Sequence, residues 1–215
     1  MISMLSGSLI MDRVGSGGVT PLSNGNYVVS SPSWSASNFS VNGAVTWCNG
    51  TTGTNGSVSA FNSLIGSTED NVGNGRVTAL NNGNYVVCSY KFRNYSGAVT
   101  WSSGISGITG VVRDSNSLVG SSAGDMVGSE GVTVLSNGNY VVISSSWKNG
   151  TITNAGAVTW GNGLTGTTGI VSPSNSLVGN YANASVGSRS VRSLSNGNYV
   201  VISSGAVTWG NGATG

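Results

Sequence analysis

Apolar residues in this chain come in short runs set between clusters of Gly, Asn and Ser, and one pattern keeps returning. Leu22-Ser23-Asn24-Gly25-Asn26-Tyr27-Val28-Val29 is an apolar run, an Asn-Gly pair and a second apolar run, and it recurs almost unchanged at Leu80–Val87, Leu135–Val142 and Leu194–Val201. Asn-Gly tolerates positive φ at both central positions of a turn, so each copy predicts a β-hairpin closed by a two-residue turn. Four copies predict a repeat protein.

Three further landmarks accompany each hairpin. Gly-Ala-Val-Thr-Trp occurs at Gly43–Trp47, Gly97–Trp101, Gly156–Trp160 and Gly205–Trp209. Ser-Leu occurs at Ser63–Leu64, Ser117–Leu118 and Ser176–Leu177, with Ser8–Leu9 as a shortened form, and Val-Gly begins at Val14, Val72, Val127 and Val186. From that Val to the hairpin Tyr is 13 residues in every unit, and from the motif Trp to the next Ser-Leu is 16 each time. Fixed spacing means fixed register, since a one-residue slip turns every side chain to the other face. Length varies in two segments, Tyr-to-Gly (16, 12, 16 and 6) and Leu-to-Val (5, 8, 9 and 9). In an antiparallel meander both variable segments fall on one edge, either a functional face or loops free to drift.

Four short strands per unit, apolar on both faces around Tyr85–Val87 and Ala98–Trp101, predict an all-β propeller of four four-stranded blades. The units run approximately 12–64, 65–118, 119–177 and 178–215, with 1–11 as a closing strand that completes the last blade. Pro21 is expected on an edge strand, where a missing N–H is tolerated. The alternative is an open β-solenoid-like array, also repetitive and all-β.

The run Asn175-Ser176-Leu177-Val178-Gly179, the hairpin octet and Gly156-Ala157-Val158-Thr159-Trp160-Gly161-Asn162-Gly163 together resemble a repeat found in tandem in large bacterial surface proteins, some of them similar to filamentous haemagglutinins. The resemblance spans nearly the whole chain. It implies export and surface display, and no particular activity. The chain departs from the repeat in its short first Ser-Leu-to-Val-Gly segment and in the residues missing between Ser204 and Gly205.

Composition narrows the chemistry. Eight basic and six acidic residues give a net charge of +2, too little to argue for nucleic acid or an anionic membrane. The 35 glycines disfavour helix, and no apolar run approaches a membrane span. Met1–Met11 lacks a basic start and is too short for a signal peptide. Without His, the Ser-His and Cys-His nucleophiles and the commonest zinc ligand are missing, so the chain is expected not to be an enzyme and to use no cofactor. Cys48 and Cys88 occupy non-equivalent points of their units and are expected to be unpaired core residues rather than a disulfide.

Two sets of residues remain as candidates. Asp12, Asp70 and Asp125 share one repeat position, which the fourth unit fills with Ala184; they are either turn residues accepting backbone N–H bonds or one weak calcium ligand per unit. Trp34, Phe92 and Trp147 stand seven residues after the hairpin Tyr, with Tyr90 and Lys148 nearby, either an aromatic surface for a sugar or caps on the end of each blade. Acceptor triplets for N-glycosylation at Asn38, Asn49, Asn55, Asn94, Asn149 and Asn183 carry little weight in a chain so rich in Asn, Ser and Thr. The functional expectation is an extracellular or cell-surface binding and adhesion module whose partner is a glycan or surface polymer. The alternative is a structural subunit that self-associates into a fibre or layer.

Overall fold

In the computed structural model, which describes residues 3–9, 11–37 and 40–215, four similar units follow one another and almost no helix is present. Asn38 lies outside the described residues, as do parts of the 1–11 segment. The first unit contains the strands Val19–Pro21, Tyr27–Ser31, Ala44–Cys48 and Ser63–Ile65; the second Val77–Ala79, Tyr85–Ser89, Ala98–Ser102 and Leu118–Val119. The third contains Val132–Val134, Tyr140–Ser144, Ala157–Gly161 and Leu177–Val178; the fourth Ser190–Ser193, Tyr199–Ser203 and Ala206–Gly210. Registers repeat from unit to unit: Val29 faces Thr46, Val87 faces Thr100, Val142 faces Thr159 and Val201 faces Thr208. Pro21 does lie on the edge strand of its sheet.

The hairpin turn differs from the two-residue form. Gly25 N donates to the Leu22 carbonyl and Leu22 N to the Asn26 carbonyl, while Gly25 takes φ 88° and Asn24 does not enter the left-handed region. This is a three-residue loop, a turn closed by a left-handed glycine. The Asn24 side-chain oxygen is thereby set to accept from Asn26 N (3.1 Å), which leaves both asparagine amides pointing away from their own hairpin.

The sheets of the first two units also take a strand from the unit that follows. Gly110–Val111 pairs in parallel with Leu64–Ile65, and Gly169–Ile170 with Leu118–Val119. The first member of this series is Gly56–Ser57, and its partner is Leu5–Ser6. Leu5 therefore occupies the position of Leu64 and Leu118, whereas Ser8–Leu9 is a bend and not the shortened strand expected. Counted from Leu5, the Leu-to-Val segments are 9, 8, 9 and 9 residues long, so only the Tyr-to-Gly segment varies strongly.

Among the described residues the sheets are not closed and no strand pairing joins the first unit to the last, so the expected closure of a four-bladed ring is not seen. Leu5–Ser6 pairs with the first unit and leaves the outer edge of Ala206–Gly210 open. The side-chain hydrogen bonds among the described residues run within a unit or to the next one along. The core follows the same rule. One buried cluster joins Val28, Val45 and Leu64 to Tyr85, Val87 and Phe92, the next joins Val86, Val99 and Leu118 to Tyr140, Val142 and Trp147, and a third joins Val141 and Val158 to Tyr199 and Val201. A fourth, around Trp34, Ala44 and Val58, receives Leu5 and Val14. The hydrophobic interior is thus the set of junctions between consecutive units, as in other repeat architectures.

Burial gives the fold an alkaline limit. Cys48 and Cys88 are both buried, unpaired thiols. Desolvation pushes the Cys88 thiol up to about 12 from an ordinary 9.0, and the Tyr85 phenol up to about 12 from an ordinary 10.0. Both groups keep their protons in the folded chain after the unfolded chain has released them. Their contribution to stability is complete below the ordinary values and is lost as pH rises through the interval up to about 12. Urea midpoints are expected to be flat up to about pH 9 and then to fall steadily, the fall being shallower in Cys88→Ala.

Candidate functional site

Trp34, Phe92 and Trp147 begin the Tyr-to-Gly connections, and all three rings lie in the core rather than on the surface, with 3%, 1% and 3% of their area exposed. Trp34 packs with Leu5, Val14 and Val58, Phe92 with Val72 and Val119, and Trp147 with Leu118 and Val127. Their surroundings are apolar residues, many of them from the preceding unit. The indole N–H groups of Trp34 and Trp147 are buried without a partner among the described residues. Tyr90 and Lys148 are half-buried. The Lys148 ammonium donates to the Ala123 carbonyl, and the Arg93 guanidinium lies 4.9 Å above the Phe92 ring. These five candidates do not converge: they are spread over three units, and the rings of Trp34, Phe92 and Trp147 are covered, so those three do not form an exposed platform for a sugar ring.

The three aspartates meet the same connections. Asp12 Oδ2 accepts from Ser8 N (2.7 Å) and Leu9 N (2.8 Å), while its Oδ1 accepts from Ser35 N (3.2 Å). Asp70 Oδ2 accepts from Ser67 N (2.8 Å) and its Oδ1 from Arg93 N (2.8 Å). Asp125 Oδ2 accepts from Ser121 N and Ser122 N (both 2.9 Å) and its Oδ1 from Lys148 N (3.3 Å). Each carboxylate is at most 4% exposed. One oxygen holds the tight turn that leads into the unit, and the other holds the residue just after the buried aromatic of that same unit. The fourth unit lacks both halves of this latch, having Ala184 for the carboxylate and a bare Ser204–Gly205 for the connection. With their oxygens engaged by backbone N–H groups and one carboxylate per unit, the three act as turn and junction residues. No cluster of three or more metal-ligating residues occurs among the described residues.

Asp125→Asn tests the latch. Asn keeps a single acceptor, so an N–H of its amide must face Ser121 N and Ser122 N or else Lys148 N. We expect a loss of about 2–3 kcal/mol in urea unfolding, from charge-assisted bonds lost and buried donors left unpaired. The amides of Ser121, Ser122 and Lys148 should exchange with solvent before the rest of the third unit.

A second contact set escaped the sequence reading. Asn24 Nδ2, Asn26 Nδ2 and Trp47 Nε1 all donate to the Gly104 carbonyl of the next unit, at 2.8, 2.9 and 2.9 Å. Asn82, Asn84 and Trp101 do the same to Gly163 (2.8, 2.9 and 3.0 Å), and Asn137, Asn139 and Trp160 to Gly212 (2.8, 2.8 and 2.9 Å). The hairpin asparagines serve two purposes: their oxygens shape the turn or hold the glycine N–H, and their amides bind the neighbour. The signal was present in the second Asn of Asn-Gly-Asn, which no hairpin turn requires.

A family model described as "Repeat of unknown function (DUF5650)" matches residues 21–74, 79–129, 134–188 and 193–215. No curated protein matches the chain. No helix among the described residues is long and apolar enough to cross a membrane.

Proposed function

Starting from a chain that belongs to the DUF5650 repeat family, we propose that it is a non-enzymatic structural scaffold, a series of stacked units whose task is to hold an extended arrangement and carry connections of variable length along one edge. The observation behind this reading is the use made of the candidate chemistry. The aromatic rings are spent on core packing, and the three buried carboxylates on holding the turn before each unit to the connection that follows its aromatic. A binding module of the adhesin type would instead offer such rings to a ligand, and a carboxylate enzyme would leave its oxygens open to a substrate. The scaffold reading also accounts for the fourth unit, where carboxylate, aromatic and connection are missing together.

Removing one whole unit tests the proposal. A chain without residues 77–131 joins the first unit to the third through an equivalent junction, and it is expected to fold with sheet content in proportion to its length. A shortened chain that stays unfolded would count against serial stacking. A glycan held at micromolar affinity by the intact chain would transfer the function to an adhesin instead.

A further inference from the structure

We infer that the two ends of the chain are complementary, and that a second copy docks its N-terminal face on the C-terminal face of the first through the contacts that join the units internally. The inference goes beyond the scaffold reading, because a chain that binds its own copy need not serve as a scaffold and a scaffold need not self-associate.

At the C-terminal face the donors of the recurring junction stand ready. Asn196, Asn198 and Trp209 occupy the positions of Asn24, Asn26 and Trp47, and no acceptor engages their Nδ2 or Nε1 atoms among the described residues. Val207 is 72% exposed and Trp209 58%, whereas Val45, Val99 and Val158 at the same position as Val207 are at most 2% exposed. A cleft of about 560 Å³ lined by Trp160, Leu177, Tyr199 and Trp209 belongs to this face. Arg192 replaces the threonine represented by Thr20 and Thr133, whose hydroxyls donate to the Val77 and Val191 carbonyls; it puts a donor at the rim where a donor stood.

The N-terminal face carries the matching half. Gly50 holds the position of Gly104, Gly163 and Gly212, as its N–H bond to Asn26 Oδ1 (3.0 Å) shows, and no hydrogen bond reaches its carbonyl among the described residues. Val19 is 59% exposed, while its fourth-unit counterpart Val191, seated against the third unit, is 8% exposed.

The open strand edges match as well. Ala44–Cys48, Ala98–Ser102 and Ala157–Gly161 each carry an antiparallel Ser-Leu strand on their outer edge, and Ala206–Gly210 carries none among the described residues. Leu5–Ser6 is that kind of strand by its pairing with Gly56–Ser57, and its other edge has no partner among the described residues. The Met4 and Ser6 carbonyls accept from Gly56 N and Val58 N, so the Leu5 backbone groups face the open side. Transferring the Val45–Leu64 register places Leu5 of the second copy opposite Val207 and Ser6 opposite Ala206. The contact is heterologous, so it closes a ring or extends a filament according to the rotation between units.

The test is sedimentation velocity over a wide concentration range on the 215-residue chain and on Val207→Lys and Val19→Lys. Both positions are exposed, and circular dichroism checks that each variant keeps its fold. The unaltered chain should gain mass with concentration, and each variant alone should associate at least about tenfold more weakly. An equimolar mixture retains one intact face of each kind and should form a species that stops at two chains. A chain that stays monomeric throughout, variants that associate as strongly as the parent, or a mixture no heavier than its components would each overturn the inference.

Discussion

Gly163→Ala is expected to destabilise the chain by about 3–5 kcal/mol, because one added methyl strikes backbone at a point where three donors converge. A Cβ at Gly163 would stand within the van der Waals shell of the Gly138 carbonyl oxygen and close to Asn82 Nδ2. Neither neighbour can swing aside, since Gly138 is locked in the hairpin loop and the Asn82 amide is bound to the Gly163 carbonyl itself. Relief requires the Gly163 peptide to move, and that movement stretches the bonds from Asn82, Asn84 and Trp101 together. Overpacking costs about 1–3 kcal/mol and each lost bond about 1 kcal/mol. Equilibrium urea unfolding measures the total. Hydrogen exchange locates it: faster exchange is expected at the junction of the second and third units, with the first unit largely unaffected. Uniformly faster exchange along the chain would show that the units do not couple only to their neighbours.

Trp147→Ala should cost a similar amount, about 3–5 kcal/mol, as the removal of a large buried ring. At 3% exposure the ring fills space among Leu118, Val127 and Val142, which the surrounding strands cannot collapse to refill. Trp147→Phe should cost far less. The second unit already uses Phe92 at this position, and phenylalanine removes a buried indole N–H that has no acceptor among the described residues. A ring serving a ligand from the surface would show the reverse order of effects, with little change in stability on truncation and a loss of binding instead. Thermal unfolding of the two variants against the parent distinguishes these outcomes, and retention of the parent's midpoint by Trp147→Ala would remove the ring from the core.

Much of the fold could be read from residue order, for a physical reason. The strands around Tyr85 and Ala98 are apolar on both faces and keep constant spacing, and a register that must be maintained leaves a constant count in the sequence. The annexed strand of the next unit could not be read this way, because Gly110–Val111 is too short to show a period. Leu5 was missed because Ser8–Leu9 offered a closer match in letters at a point where the chain bends. The aromatics posed a different difficulty. A ring that stacks on a ligand and a ring that plugs a junction share the same composition and the same polar neighbours, and only the position of the preceding unit decides between them. One clue did lie in the sequence: Asp, aromatic and connection disappear together from the fourth unit, as parts of one latch would.

The strand borrowed from the next unit bears on how the chain is made. The parallel partner of Leu64–Ile65 is Gly110–Val111, so the first sheet stays unfinished while the ribosome is still synthesising the second unit. Assembly during translation, at about 5–20 residues per second, therefore trails the nascent end by nearly a full unit, and each newly emerged segment completes the one before it. A chain stalled between Ile65 and Gly110 would hold its first sheet with one edge bare, a species for chaperones to shield until elongation resumes.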